Sequence, residues 1–146
     1  MPSRYAAPVK IGEWDNLGRA RVLLQRQLGE LGATEYAAHV TVNPDNGRLR
    51  VFVATDAGLL DYQYAPAGAN TDATWILRGQ LIRWSSVRGL RLQTDAQQDD
   101  GTDEIKAVWR LVSEDPKMEL TVSSDDGEKA IEALASFARA CLQYAG

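Results

Sequence analysis

The stretch WILRGQLIRWSSVRGLRL, residues 75–92, permits two readings, and the fold turns on the choice. As a helix it aligns Leu77, Leu81, Trp84 and Arg88, but Gly79, Ser85, Ser86 and Gly89 interrupt the stripe. As strands, Thr74–Arg78 and Gln80–Trp84 form one run with a bulge at Gly79, and Val87–Thr94 forms another. Its glycines and its β-branched and aromatic residues favour strands. The stretch carries four arginines and no acid inside a chain of net charge −4. Side chains alternate along a strand, so Arg78 and Arg88 share one parity and Arg83 and Arg91 the other. No single unbroken strand aims all four one way. Four phosphate contacts would give a salt slope of roughly −3.6 on duplex DNA. The arginines are therefore read as outward charges on half-buried strands, some paired with the acidic segment DAQQDDGTDE, residues 95–104. Arg88 and Arg91 are kept as candidate anion or partner contacts.

Upstream, the pattern is also that of short strands. Tyr36–Asn43 ends at Asn-Pro-Asp-Asn-Gly, a turn signal. RLRVFVAT, residues 48–55, puts Leu49, Val51 and Val53 on one face and Arg50, Phe52 and Ala54 on the other. Asp56-Ala57-Gly58 reads as a three-residue hairpin link with a bulge at the glycine. In LLDYQYA, residues 59–65, Leu60, Tyr62 and Tyr64 alternate with Leu59, Asp61 and Gln63. Residues 66–73 are a small-residue loop. Downstream, 95–104 reads as a polar loop, and Ile105–Val112 and Met118–Val122 as two further strands.

Helical periodicity flanks the strands. Trp14, Leu17, Leu24, Leu28 and Leu31 fall on one side of a helix predicted from about residue 14 to 31, with Arg21 on the same stripe and Gly32 as its stop. Such a stripe must dock on the sheet or on a second subunit, because left in water it forms a sticky patch. These five residues are the candidate interface helix, with a second copy, hence a homodimer, preferred as the receiver. At the other end, Asp125 and Glu128 have the spacing of a capping box. Ile131, Leu134, Ala135, Ala138, Cys141, Leu142 and Ala145 then form an apolar arc that must bury against the sheet.

Composition narrows the function. The 146 residues, 45% apolar and 25% charged, fit one globular domain with a real core. No run approaches a transmembrane span, and MPSRYAAPVKIGEW lacks a signal-peptide core. Cys141 is the single cysteine, which excludes an internal disulfide. A cytoplasmic setting is expected. Residues 95–146 hold five bases against twelve acids, and the pI is near 5.0, against the basic excess of a nucleic-acid binder. His39 is the only histidine and reads as a packed strand residue. No nucleophile elbow, phosphate loop or dinucleotide fingerprint is present. Asp99, Asp100, Asp103 and Glu104 do not match EF-hand spacing. Tyr62, Tyr64, Trp75, Trp84 and Trp109 read as core rather than as a stacking platform. No catalytic residue, metal or cofactor is expected.

VFVATDAGLL, residues 51–60, resembles the strand–turn–strand of bacterial pleckstrin-homology-like (PH-like) and GRAM domains. IRWSSVRGL, residues 82–90, is similar to their later segment, with Trp84, Val87 and Leu90 spaced three apart. The resemblance covers about 36–145. It implies an α+β, mostly β fold: a partly open barrel of about seven antiparallel strands capped by a C-terminal helix, here with an added N-terminal helix. The boundaries follow as an N-terminal extension over 1–35 and the PH-like region over 36–146, one structural domain overall. A helix-grip fold is the rival. Phosphoinositide-binding relatives carry a lysine on the first strand and a (K/R)-x-R pair on the next. Arg48 and Arg50 match that pair, but His39–Val42 supply no lysine, so headgroup binding is not expected. Arg48 and Arg50 join Arg88 and Arg91 as candidate contacts. The expected function is a non-catalytic protein-interaction or scaffolding module with a protein or peptide partner, without nucleic acid or membrane insertion. The alternative is a small-ligand or lipid carrier using the open end of the barrel. Twelve arginines against four lysines, with twenty alanines, fit a high-GC bacterial genome.

Overall fold

Residues 75–92 are strand at both ends and a turn in the middle. The computed structural model describes residues 7–67, 74–98, 101 and 105–145. Its first helix is α1 (Ala20–Leu31). Four antiparallel strands follow, β1 (Glu35–Val42), β2 (Leu49–Thr55), β3 (Leu59–Pro66) and β4 (Trp75–Ile82), in the order β1-β2-β3-β4. A second antiparallel sheet holds β5 (Arg91–Gln98), β6 (Ile105–Ser113) and β7 (Met118–Ser123), in that order. The last helix is α2 (Glu128–Tyr144). The fold is thus α+β and mostly β, with seven antiparallel strands. Among the described residues no ladder joins the two sheets into a closed one. The chain forms two compact units, Val9–Arg83 and Trp84–Gly146 with Met1–Pro8.

The reading of residues 75–98 needs three corrections. β4 runs through Gly79 in unbroken register, Tyr62 opposite Gly79, so there is no bulge. The glycine is there for a different reason: a Cβ would lie 2.0 Å from Tyr62 Cδ1, under the ring. After β4, Trp84–Ser86 forms a 3-10 turn and the next strand starts only at Arg91. Gly89, at φ +68°, breaks the extended path, and Arg88 makes an isolated bridge to Asp115. Finally, Asp95–Gln98 is strand, paired with Ile105–Val108, where a loop was expected. Every side chain from Gln93 to Gln98 is exposed, so no apolar alternation marked it.

In the first unit, α1 covers the sheet face that carries Val40, Val51, Val53, Leu60 and Tyr62. Leu17, Ala20 and Leu24 are fully buried there, and Trp14 and Leu28 pack against the same cluster. The stripe therefore docks on its own sheet, which corrects the preference for a second copy. Only its last member, Leu31, stays largely in water, 45% exposed. The helix also starts later than its periodicity predicts. Residues 11–13 and 15–17 are separate 3-10 turns, and Gly18 at φ +55° and ψ −131° cannot continue a helix. The Arg21 guanidinium ties these turns down, donating to the carbonyls of Gly12 (2.9 Å) and Trp14.

The hairpin between β2 and β3 is tighter than expected. Thr55 and Gly58 exchange backbone hydrogen bonds, which leaves a two-residue loop, Asp56-Ala57. The Thr55 hydroxyl donates to the Gly58 carbonyl at 2.8 Å and accepts from the amides of Ala57 and Gly58. Gly58 sits at φ +149°, and a Cβ would meet the Ile82 carbonyl oxygen at 2.3 Å.

In the second unit, α2 lies against β6 and β7. Its buried residues are Ala133, Leu134, Phe137, Ala138 and Cys141, whereas Leu142 is 43% exposed. The buried face is thus rotated by roughly 60° from the predicted arc, at 100° per residue. The cap differs too. Gly127 precedes the helix, and the capping box is Ser123 with Asp126, around the 3-10 turn Ser124–Asp126. Asp125 is not the cap.

Candidate interaction surfaces

The register of the first sheet assembles one polar row. Thr41 pairs with Arg50, Arg50 with Gln63, and Gln63 with Arg78, so the four lie across the face opposite α1. The neighbouring row is His39, Phe52, Asp61 and Gln80. Arg50 reaches diagonally into it. Its Nε donates to Asp61 Oδ1 and its Nη2 to Oδ2, both at 2.9 Å, and its guanidinium stands 4.9 Å from the Phe52 ring centroid. A bidentate pair of this kind fixes the guanidinium and neutralises it. Arg48, next to it, is exposed at the end of the β1–β2 turn and has no ion pair among the described residues. An open recess of about 530 Å³ between Arg48, Arg50, Thr41, Asn43 and Gln63 offers one unpaired cation.

Asp61 is the residue that sequence reasoning passed over. With the hairpin closed at Asp56-Ala57, it falls opposite Phe52 and diagonal to Arg50 on the same face. Finding it needed the register of the two-residue hairpin, which the three-residue reading of that link displaces by one.

Arg88 and Arg91 belong to the other unit. Arg88 acts through its backbone: its amide donates to the Asp115 carbonyl at 2.7 Å, and its carbonyl accepts from Glu114 and Asp115. Arg91 pairs with Glu114 at 3.7 Å, both largely exposed. The acid is in the β6–β7 turn, not in the 95–104 segment, where the pairing was expected. An exposed pair of this kind contributes about 0–1 kcal/mol. Asp99, Asp100, Asp103 and Glu104 lie outside the described residues.

An apolar cleft of about 440 Å³ opens on the α1 side of the first unit. Leu17, Val42, Leu49, Tyr64 and Trp75 line it, with Asn16 and Arg19 at its rim. The Tyr64 and Trp75 rings meet at 5.2 Å. This cleft was not foreseen, since Leu17 was placed on the candidate interface helix and Tyr64 and Trp75 were read as core.

Among the described residues, burial perturbs four titrating groups. It lowers His39 to about 4 and pushes the Cys141 thiol up to about 12. It raises Tyr62, and it raises Glu35 against the opposing hydrogen bond from the Ile11 amide. Within the first unit they do not converge on one point, since Tyr62 faces α1 and His39 faces the other side of the sheet; Cys141 belongs to α2 of the second unit. Among the described residues no cluster of His, Cys, Asp or Glu is arranged to hold a metal, and no helix is long and apolar enough to cross a membrane. No family model matches the chain, and neither a curated protein nor a solved structure does.

Proposed function

We propose that the chain is a non-catalytic interaction module of PH-like type that takes a protein or peptide partner. The observation that carries this reading is the apolar cleft of Leu17, Val42, Leu49, Tyr64 and Trp75. Its volume is within the range of ligand sites, but it lies open to solvent. A carrier must bury about 70–90% of a small ligand, which an open cleft does not do. A side chain anchored on a larger partner needs no such enclosure, because the partner's own surface closes the rim. Perturbed groups that do not converge supply no acid–base pair, which favours binding over catalysis. Arg50, held by Asp61, is poorly placed to take a phosphate, so polyanion binding through the Arg48–Arg50 pair is disfavoured.

Chemical cross-linking in extract of the native cell, with the full chain as bait, tests the reading. A partner captured by the native chain should fall at least about tenfold with Trp75→Ala, the loss expected of an anchor worth more than 1.4 kcal/mol, while the melting temperature holds. Equal capture by the variant defeats it. One-to-one saturation by dodecanoate would make the protein a carrier. Tight binding to duplex DNA or anionic vesicles, abolished by replacing Arg88 and Arg91, would overturn the partner class.

A further inference from the structure

We propose that two copies of the chain pair antiparallel along β4, with Gly79 on the two-fold axis. The first sheet has two edges, and the chain treats them differently. At the β1 edge, the Ala38 amide donates to the Val9 carbonyl at 2.7 Å, and its carbonyl accepts from the Trp14 indole at 3.2 Å. That edge is covered by the chain's own N-terminal segment. β4 has no such cover: Arg78, Gly79, Gln80 and Leu81 are all exposed, and β4 pairs only with β3 among the described residues. It also lacks the usual protections of an open edge, having eight residues, no internal bulge, no proline and a single charge.

The outward backbone groups can be assigned. The Ala67 amide donates to the Thr74 carbonyl at 2.8 Å, one step beyond the Pro66–Trp75 pair. Antiparallel pairs alternate, so even-numbered residues of β4 bond to β3 and odd-numbered ones point outward. Leu77, Gly79 and Leu81 therefore present their N–H and C=O groups at the free edge.

The sequence around Gly79 is self-complementary. ILR-G-QLI, residues 76–82, reads as a near-palindrome in residue class. Pairing Gly79 with its copy sets Leu77 opposite the second copy's Leu81, in the outward hydrogen-bonding positions. On the other face it sets Ile76 opposite Ile82 and Arg78 opposite Gln80, so no like charges meet. Leu81 is 39% exposed, and with Leu31 and Leu77 it lines a groove between β4 and α1. Strand addition here would extend four strands to eight and cover those leucines. Other registers bring Arg78 against its copy or set leucines against polar side chains. This surface is separate from the cleft of the proposed partner, so the two readings can fail independently.

Sedimentation equilibrium on the full chain should show a monomer–dimer equilibrium in the micromolar range, as expected of a small interface. Leu81→Lys should weaken the dimer at least about tenfold, from a charge buried in each strand of the pair, with the monomer's melting temperature unchanged. The register has its own readout. Arg78 and Gln80 form non-hydrogen-bonded pairs, whose Cα atoms lie about 4.5 Å apart and suit a disulfide. Arg78→Cys mixed with Gln80→Cys should therefore cross-link under mild oxidant far faster than either alone. A monomer across the whole concentration range overturns the proposal. So does a dimer indifferent to Leu81→Lys, or cross-linking that does not prefer the mixture.

Discussion

The two helices solve the same problem with different means. α1 has twelve residues and lies on the first sheet; α2 has seventeen and lies on the second. α1 brings few buried residues of its own, Ala20 and Leu24, and borrows the rest from the turns before it, through Ile11 and Leu17. Arg21 then locks those turns to the helix. α2 needs no such help, because Ala133, Leu134, Phe137, Ala138 and Cys141 make a continuous buried face. An isolated helix of about 12–15 residues is marginal in water. α1 is thus held by its surroundings and α2 by its own stripe.

Truncation in the two cores sharpens that contrast most. Phe137 is completely buried, and Phe137→Ala should cost about 3–5 kcal/mol. Leu24, also completely buried, should cost about 2–5 kcal/mol as Leu24→Ala. Denaturant midpoints at constant slope read both. A Leu24→Ala cost below about 1 kcal/mol, outside that range, would mean that the preceding turns alone hold α1.

Titration separates the units next. In the second, burial holds Cys141 protonated to about 12, against an ordinary 9.0. Its folded pKa is raised, so the associated stability is complete below pH 9 and disappears between pH 9 and 12. Three units correspond to about 4 kcal/mol. In the first, His39 sits edge-on to Trp14 at 5.3 Å and titrates at about 4 rather than 6.5. Its pKa is depressed by burial, so its stability is complete above pH 6.5 and is lost as pH falls toward 4. That is about 3 kcal/mol. Glu35, raised by burial, acts in the opposite sense and offsets part of the acid effect. Tyr62, also raised by burial, keeps part of the alkaline slope above its ordinary 10.0, so Cys141→Ala should reduce the alkaline limb without touching the acid limb, and His39→Phe should do the reverse. Loss of both slopes in either variant would deny the separate assignments.

Sequence periodicity gave the strands of the first sheet within a residue or two because one face of each is apolar: Leu49, Val51 and Val53 need a core on their side. It gave less where that contrast is missing. β5 is polar on both faces, so its end was taken for a loop. The start of α1 was misplaced because Leu17 keeps the helical spacing across Gly18 while the backbone does not. Of the five residues on the candidate interface stripe, Leu17 and Leu24 are core, and the candidate arginines are divided between two units. The Arg50–Asp61 pair and the Tyr64–Trp75 cleft depend on cross-strand register, which a linear pattern does not carry.

The smallest expected effect is the one that decides the rotation of α2. The predicted arc counts Leu142 as buried, with Ile131, Leu134, Ala135, Ala138, Cys141 and Ala145, yet Leu142 is 43% exposed while Leu134 is 1%. Phe137, the largest buried side chain on the helix, lies outside that arc, and burying it turns the helix so that Leu142 moves to the rim. Leu134→Ala removes atoms from a filled site and should cost about 2–5 kcal/mol. Leu142→Ala removes partly hydrated atoms and gains slightly in helix propensity, so its net effect should stay within about 0.5 kcal/mol. The same urea series measures both. Equal costs at the two positions would return the buried face to the predicted arc, and α2 would then share with α1 a dependence on contacts beyond its own stripe.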